Sequence, residues 1–82
     1  MTPQDACELH EVALALESAS ARLVTTLLHL CALDATDGAW DPAMAQLGSD
    51  LTAVRQALDR FATTGDRAIR EVAARARRRM AE

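Results

Sequence analysis

Leu9, Leu16, Leu23 and Leu30 recur every seven residues, with Val12, Ala19, Thr26 and Leu33 at the intervening positions. This alternation of three- and four-residue steps keeps one stripe of a helix facing a partner helix at a shallow angle. A second apolar set, Leu14, Ala21, Leu27 and Leu28, lies off that stripe. The C-terminal half of the first helix is therefore apolar on more than one face, which predicts burial against something beyond its own hairpin mate. Further along, Met44, Leu47, Leu51, Val54, Leu58, Phe61 and Gly65 continue the same alternation. The stripe then resumes as Ile69, Val72, Ala76 and Met80, offset by the four-residue steps of a stutter.

Between these two patterns, Asp34 to Pro42 gathers turn-forming and helix-breaking residues. Gly38 permits the positive φ that a reversing chain often needs. Asp41-Pro42 reads as an N-cap followed by proline at the first helical position. Thr2-Pro3, with Asp5 near the third helical position, reads as a capping box that opens the first helix. The expectation is an all-α fold, one domain over 1–82. It is an antiparallel two-helix hairpin with helix 1 about 3–35, a turn at 36–41 and helix 2 about 42–80. Gly48-Ser49-Asp50 and Thr63-Thr64-Gly65-Asp66 are weak points where helix 2 bends or breaks, near Gly65 above all. The apolar register running through both favours one continuous helix over two.

Composition makes this architecture a dependent one. Half of the 82 residues are apolar, but Trp40 and Phe61 are the only aromatics and eighteen residues are alanine. Alanine favours helix yet supplies little core volume. Domains this small often complete a thin core by association. The hairpin is thus expected to join a four-helix bundle, as a homodimer or with a different protein.

The net charge of −3 is unevenly spread: residues 1–41 hold seven acids against Arg22 alone, and residues 42–82 hold five acids and eight arginines. An antiparallel hairpin is expected to lay Arg67, Arg70 and the Arg75–Arg79 run beside Asp5, Glu8, Glu11 and Glu17. Exposed pairs of this kind are each worth under about 1 kcal/mol and orient the helices more than they stabilise them. The same arginines read alternatively as a nucleic-acid footprint, but the acidic balance and the lack of stacking aromatics make that partner the unfavoured one. Absence of lysine together with abundant alanine points to a high-GC bacterial source.

No chemistry-bearing constellation stands out. Cys7, His10 and Glu11 share a helix face, but a structural zinc site wants four protein ligands and no second Cys/His pair follows. Cys7 and Cys31 lie 24 residues apart on one helix, about 36 Å, so they cannot bridge to each other. Ser18, Ser20 and Ser49 have no histidine at helical spacing to activate them. The expectation is a non-enzymatic protein without cofactor or metal. The acidic N-terminus is unlike a secretory signal, and the apolar run Leu23–Leu33 is too short to span a bilayer. A cytoplasmic protein with no membrane span is expected. Leu14, Leu27, Leu28 and Cys31 are the candidate partner-binding residues on helix 1. Trp40 is the candidate at the turn, either plugging the hairpin end or serving as a recognition knob.

Gly38-Ala-Trp40 at the bend, the Leu58-x-x-Phe-Ala-x-Thr-Thr-Gly65 segment, Ile69 and Val72-Ala-Ala74 together resemble the WXG family of type VII (ESX) secretion substrates. The resemblance runs the length of the chain. It implies a hairpin that homo- or heterodimerises into a four-helix bundle and is co-secreted with, or escorts, a secreted effector. Two features depart from the family pattern. Pro42 stands where the family has glycine, and Arg77 or Arg78 stands where the export signal has tyrosine, with Glu82 four residues after Arg78. A partner would then supply the tyrosine signal. The alternative class is a small cytosolic regulator, antitoxin-like or nucleic-acid-associated, acting through Arg75–Arg79.

Overall fold

A computed structural model describes residues 2–81; Met1 and Glu82, the acid of the export-signal comparison, lie outside the described residues. Two helices, α1 (Pro3–Cys31) and α2 (Trp40–Ala81), pack along each other as an antiparallel hairpin. At 1.5 Å per residue α2 alone extends about 63 Å, so it sets most of the molecule's 68 Å length; the other dimensions are 17 and 15 Å. The radius of gyration is 19.0 Å, where a compact chain of this size would have about 12 Å. The hairpin is a thin rod.

The opening of α1 follows the expected capping box. Thr2 is extended at φ −84° and ψ 162°, and its hydroxyl accepts the Asp5 backbone N–H at 3.2 Å. The Asp5 carboxylate accepts the Thr2 N–H at 3.2 Å in return. Pro3 takes the first helical position, where a missing N–H leaves no acceptor unsatisfied.

The turn differs from the expected one. α1 ends at Cys31 rather than near 35, closing with i→i−3 bonds from Ala32 N–H to the His29 carbonyl and from Leu33 N–H to the Leu30 carbonyl, both 3.1 Å. Two aspartates then form the bend. Asp34 accepts the Thr36 N–H at 3.1 Å through its side chain and the Asp37 N–H at 2.9 Å through its carbonyl. Asp37 repeats the motif, taking the Ala39 N–H at 2.9 Å and the Trp40 N–H at 3.0 Å. These Asx turns offer the backbone an alternative to continuing the helix. α2 accordingly starts at Trp40, two residues before Pro42. Asp41 is not its cap but sits in the first turn, where a carboxylate suits the helix dipole. Pro42 is tolerated because the first bond into the helix comes from Ala43 N–H to the Ala39 carbonyl, at 3.2 Å. No described glycine has positive φ, so Gly38 does not use the freedom that singled it out.

α2 is one continuous helix through Gly48 and Gly65. Its threonines stay compatible with helix by back-bonding: Thr52 Oγ1 donates to the Gly48 carbonyl at 2.9 Å and Thr63 Oγ1 to the Asp59 carbonyl at 3.0 Å.

On α1 the buried and half-buried stripe is the expected one, from Leu9 and Val12 through Leu30 and Leu33. On α2 it is displaced. Leu47 and Val54 face the seam as expected, but the buried positions are Ala43, Asp50, Ala57 and Thr64, and Phe61 is exposed. Met44, Leu51 and Leu58, assigned by their size to the seam, are exposed one residue away. Small side chains let the two helix axes approach closely. Leucines at those positions would hold the helices apart.

Candidate association face

The hairpin seam holds a polar centre. Thr26 Oγ1 donates a hydrogen bond to the Asp50 carboxylate, and Gln46 Nε2 donates to its other oxygen at 2.8 Å. Asp50 is only 4% exposed. The Thr26 hydrogen bond, then that of Gln46, with the Arg22 charge adding, hold its carboxyl below the ordinary aspartate value against the opposing effect of burial. Among the described residues no buried side-chain nitrogen or oxygen lacks a partner. A buried, fully partnered polar contact is disrupted by sliding either helix, so it pins the register.

One flank of the seam is charged. Arg67 Nη2 lies 2.8 Å from the Glu8 carboxylate and 3.9 Å from that of Asp5. The Glu8 contact raises the Arg67 pKa, while the Thr2 cap is the main cause of the lowered Asp5 pKa, with Arg67 contributing. Arg22 falls on the same flank by heptad position, immediately preceding the half-buried Leu23. Arg67 thus ties α2 to both Asp5 and Glu8 of α1.

The arginine run was expected beside the acids of α1, and here the structure corrects the reading. Thr26 meets Asp50 and Glu8 meets Arg67. At this register the start of α1 lies level with about residue 73, on the 1.5 Å rise of both helices. Arg75, Arg77, Arg78 and Arg79 therefore extend past α1, because α2 is 42 residues long and α1 only 29.

The opposite flank is apolar. Met44, Leu51, Leu58 and Val72 each follow a seam position of α2, and Ala13 and Leu27 do the same on α1. The stripe continues around the back of α1 through Cys7, Leu14, Ala21 and Leu28, again at seven-residue spacing. Leu14 is 50% exposed and Leu28 67%. Of the sequence-derived candidates, Leu14, Leu27, Leu28 and Cys31 are thus all exposed and lie away from the seam. Trp40 is half-buried as the first residue of α2. Sequence reasoning missed Met44, Leu51 and Leu58 as members of this face. The signal that identifies them is the neighbouring seven-residue repeat of small or polar residues, Ala43, Asp50, Ala57 and Thr64.

The rod exposes much surface for its mass. The chain exposes 6193 Å², where a compact globular chain of 8.8 kDa exposes about 4,800 Å². The excess, about 1,400 Å², reflects the rod shape of the hairpin, which leaves both helices open to solvent on most of their circumference.

Among the described residues no group of three or more His, Cys, Asp or Glu is placed to hold a metal ion. No helix of the described residues is long and apolar enough to cross a membrane. No family model, curated protein or solved structure matches the chain.

Proposed function

We propose that this chain is a non-enzymatic association module, a helical hairpin that completes its core by pairing its outward apolar face with a second hairpin in a four-helix bundle. The observation that carries the reading is the inverted distribution of side chains. On α2 the buried seam positions are small or polar, Ala43, Asp50, Ala57 and Thr64, packed against Val12, Ala19, Thr26 and Leu30 of α1, while Leu14, Leu27, Leu28, Met44, Leu51 and Leu58 face outward. Fully burying a leucine contributes about 1.5–3 kcal/mol, so an interface covering several of them has ample driving force.

The finer reading is a partner or escort of the WXG kind in type VII secretion, held in the cytoplasm until it leaves with a secreted effector. It is supported by the length of the hairpin and by a tryptophan at the first residue after the bend. Sedimentation velocity on the wild type and on Leu51→Glu tests the association. A wild-type species heavier than 8.8 kDa, reduced to monomer by the substitution, is expected. A compact wild-type monomer at high concentration overturns it.

A second reading is favoured by one observation, the extension of Arg75–Arg79 beyond the acids of α1: a small cytosolic regulator that contacts nucleic acid through this tip. Electrophoretic mobility shift with duplex DNA over a salt series separates the two, since binding through phosphates falls steeply with salt. No shift at low salt eliminates it.

A further inference from the structure

Beyond the level at which α1 begins, α2 continues alone, and its sides differ. Ile69, Val72, Ala73, Ala76 and Met80 form one stripe, since their spacing keeps them within about 100° of arc on an α-helix. Ile69 is 67% exposed, Val72 54% and Met80 88%. Leu9 of α1 reaches the near end of the stripe, where it borders a groove of about 380 Å³. The half-buried positions of this stretch are Ala68, Glu71 and Ala74, so the stripe otherwise faces away from α1. Arg77 and Arg79 flank it, about 80° to either side of Ile69, with Arg75 and Arg78 behind. From Val72 to Ala81 there is no acid. The helix dipole accounts for basic residues in the last turn, Arg78 and Arg79. It does not account for an apolar stripe set between arginines.

We infer that this end of the rod lies on the surface of an anionic lipid bilayer. Ile69, Val72, Ala76 and Met80 enter the boundary between headgroups and acyl chains, and the arginines meet the lipid phosphates. The inference goes beyond the association reading and stands without it. An interfacial helix needs basic residues on both sides of an apolar stripe, because long cationic side chains reach back to the headgroups while the stripe sinks. Charge complementarity selects anionic lipid. Nucleic acid fits the same arginines less well, because phosphate contacts would leave Ile69, Val72 and Met80 in water.

The test is co-sedimentation of the full chain with vesicles of phosphatidylcholine alone and of an equimolar mixture with phosphatidylglycerol. Binding to the mixed vesicles only, weakening as salt is added, is expected. Arg77→Gln with Arg79→Gln is expected to lower the partition coefficient about 25-fold, or about fivefold for each charge removed. Ile69→Ser with Met80→Ser is expected to lower it about tenfold through lost apolar burial. Circular dichroism checks that each variant keeps its helix. No binding to the mixed vesicles at low salt overturns the inference, as does equal binding to both kinds. Binding that needs the arginines but is unchanged by the serine pair also overturns it; if duplex DNA then competes the protein off the vesicles, the tip is assigned to nucleic-acid phosphates instead.

Discussion

Along α2, the positions 43, 50, 57 and 64 and the positions 44, 51 and 58 differ by a single backbone step and have opposite fates. The first set, Ala, Asp, Ala and Thr, is buried against α1, and the second, Met, Leu and Leu, faces outward. In a self-sufficient hairpin the sizes would be reversed, because large apolar groups gain most from leaving water. The arrangement makes sense if the seam's task is close approach and register and the outer face's task is affinity. Ala57, 6% exposed, lets the backbones approach; Thr26 and Asp50 fix where they meet. On the proposed association, the two surfaces divide specificity and driving force between them.

That comparison breaks most sharply at a pair of sites two residues apart on α1. Val12 is 2% exposed in the seam and Leu14 is half exposed on the outer face. Val12→Asp places an uncompensated charge in the seam, at about 3 kcal/mol or more, and the expected outcome is loss of the cooperative thermal melt by circular dichroism. Leu14→Asp is expected to keep the helical spectrum and lower the sedimentation coefficient.

Next in size is the polar centre. Thr26→Val leaves the Asp50 carboxylate short of a partner and should cost about 1–3 kcal/mol in denaturant unfolding. Combining it with Asp50→Ala should recover most of that stability while loosening the register, which cross-linking between cysteines introduced on facing helix positions would reveal.

Acid provides a graded version of the same test. The folded pKa values of Asp50 and Asp5 lie below the ordinary carboxylate value, about 3.9 in an unfolded chain. Their contribution is therefore complete above that value and lost as the pH falls through the folded ones. Unfolding midpoints should be level near neutral pH and fall in this acid window, and Asp50→Asn should flatten the fall.

The smallest effect belongs to the helix itself. A Cβ at Gly65 meets nothing within 4 Å and its φ is not positive. Gly65→Ala should therefore stabilise α2 by about 1 kcal/mol, seen as a higher denaturation midpoint.

The fold was legible where local chemistry and periodicity agree. The Thr2–Asp5 box and the α1 stripe from Leu9 to Leu33 follow directly from residue type and spacing. On α2 the size of Met44, Leu51 and Leu58 drew the seam one residue too far, because periodicity locates an apolar stripe but not which of two adjacent rows a neighbouring helix covers. The turn was misplaced for a related reason. Asp41-Pro42 is a good helix start in isolation, but Asp34 and Asp37 form competing turns that finish before it. The outward position of Leu14, Leu27, Leu28 and Cys31 was readable from α1 alone. The arginine overhang was not, since it depends on the register that Thr26 and Asp50 set.

The account stands or falls on whether the outer face is covered in solution. Multi-angle light scattering on the chromatographed wild-type protein, with its circular dichroism, measures this directly. The prediction is a strongly helical species of twice 8.8 kDa. A monodisperse, fully helical 8.8 kDa monomer that persists as concentration rises would contradict it.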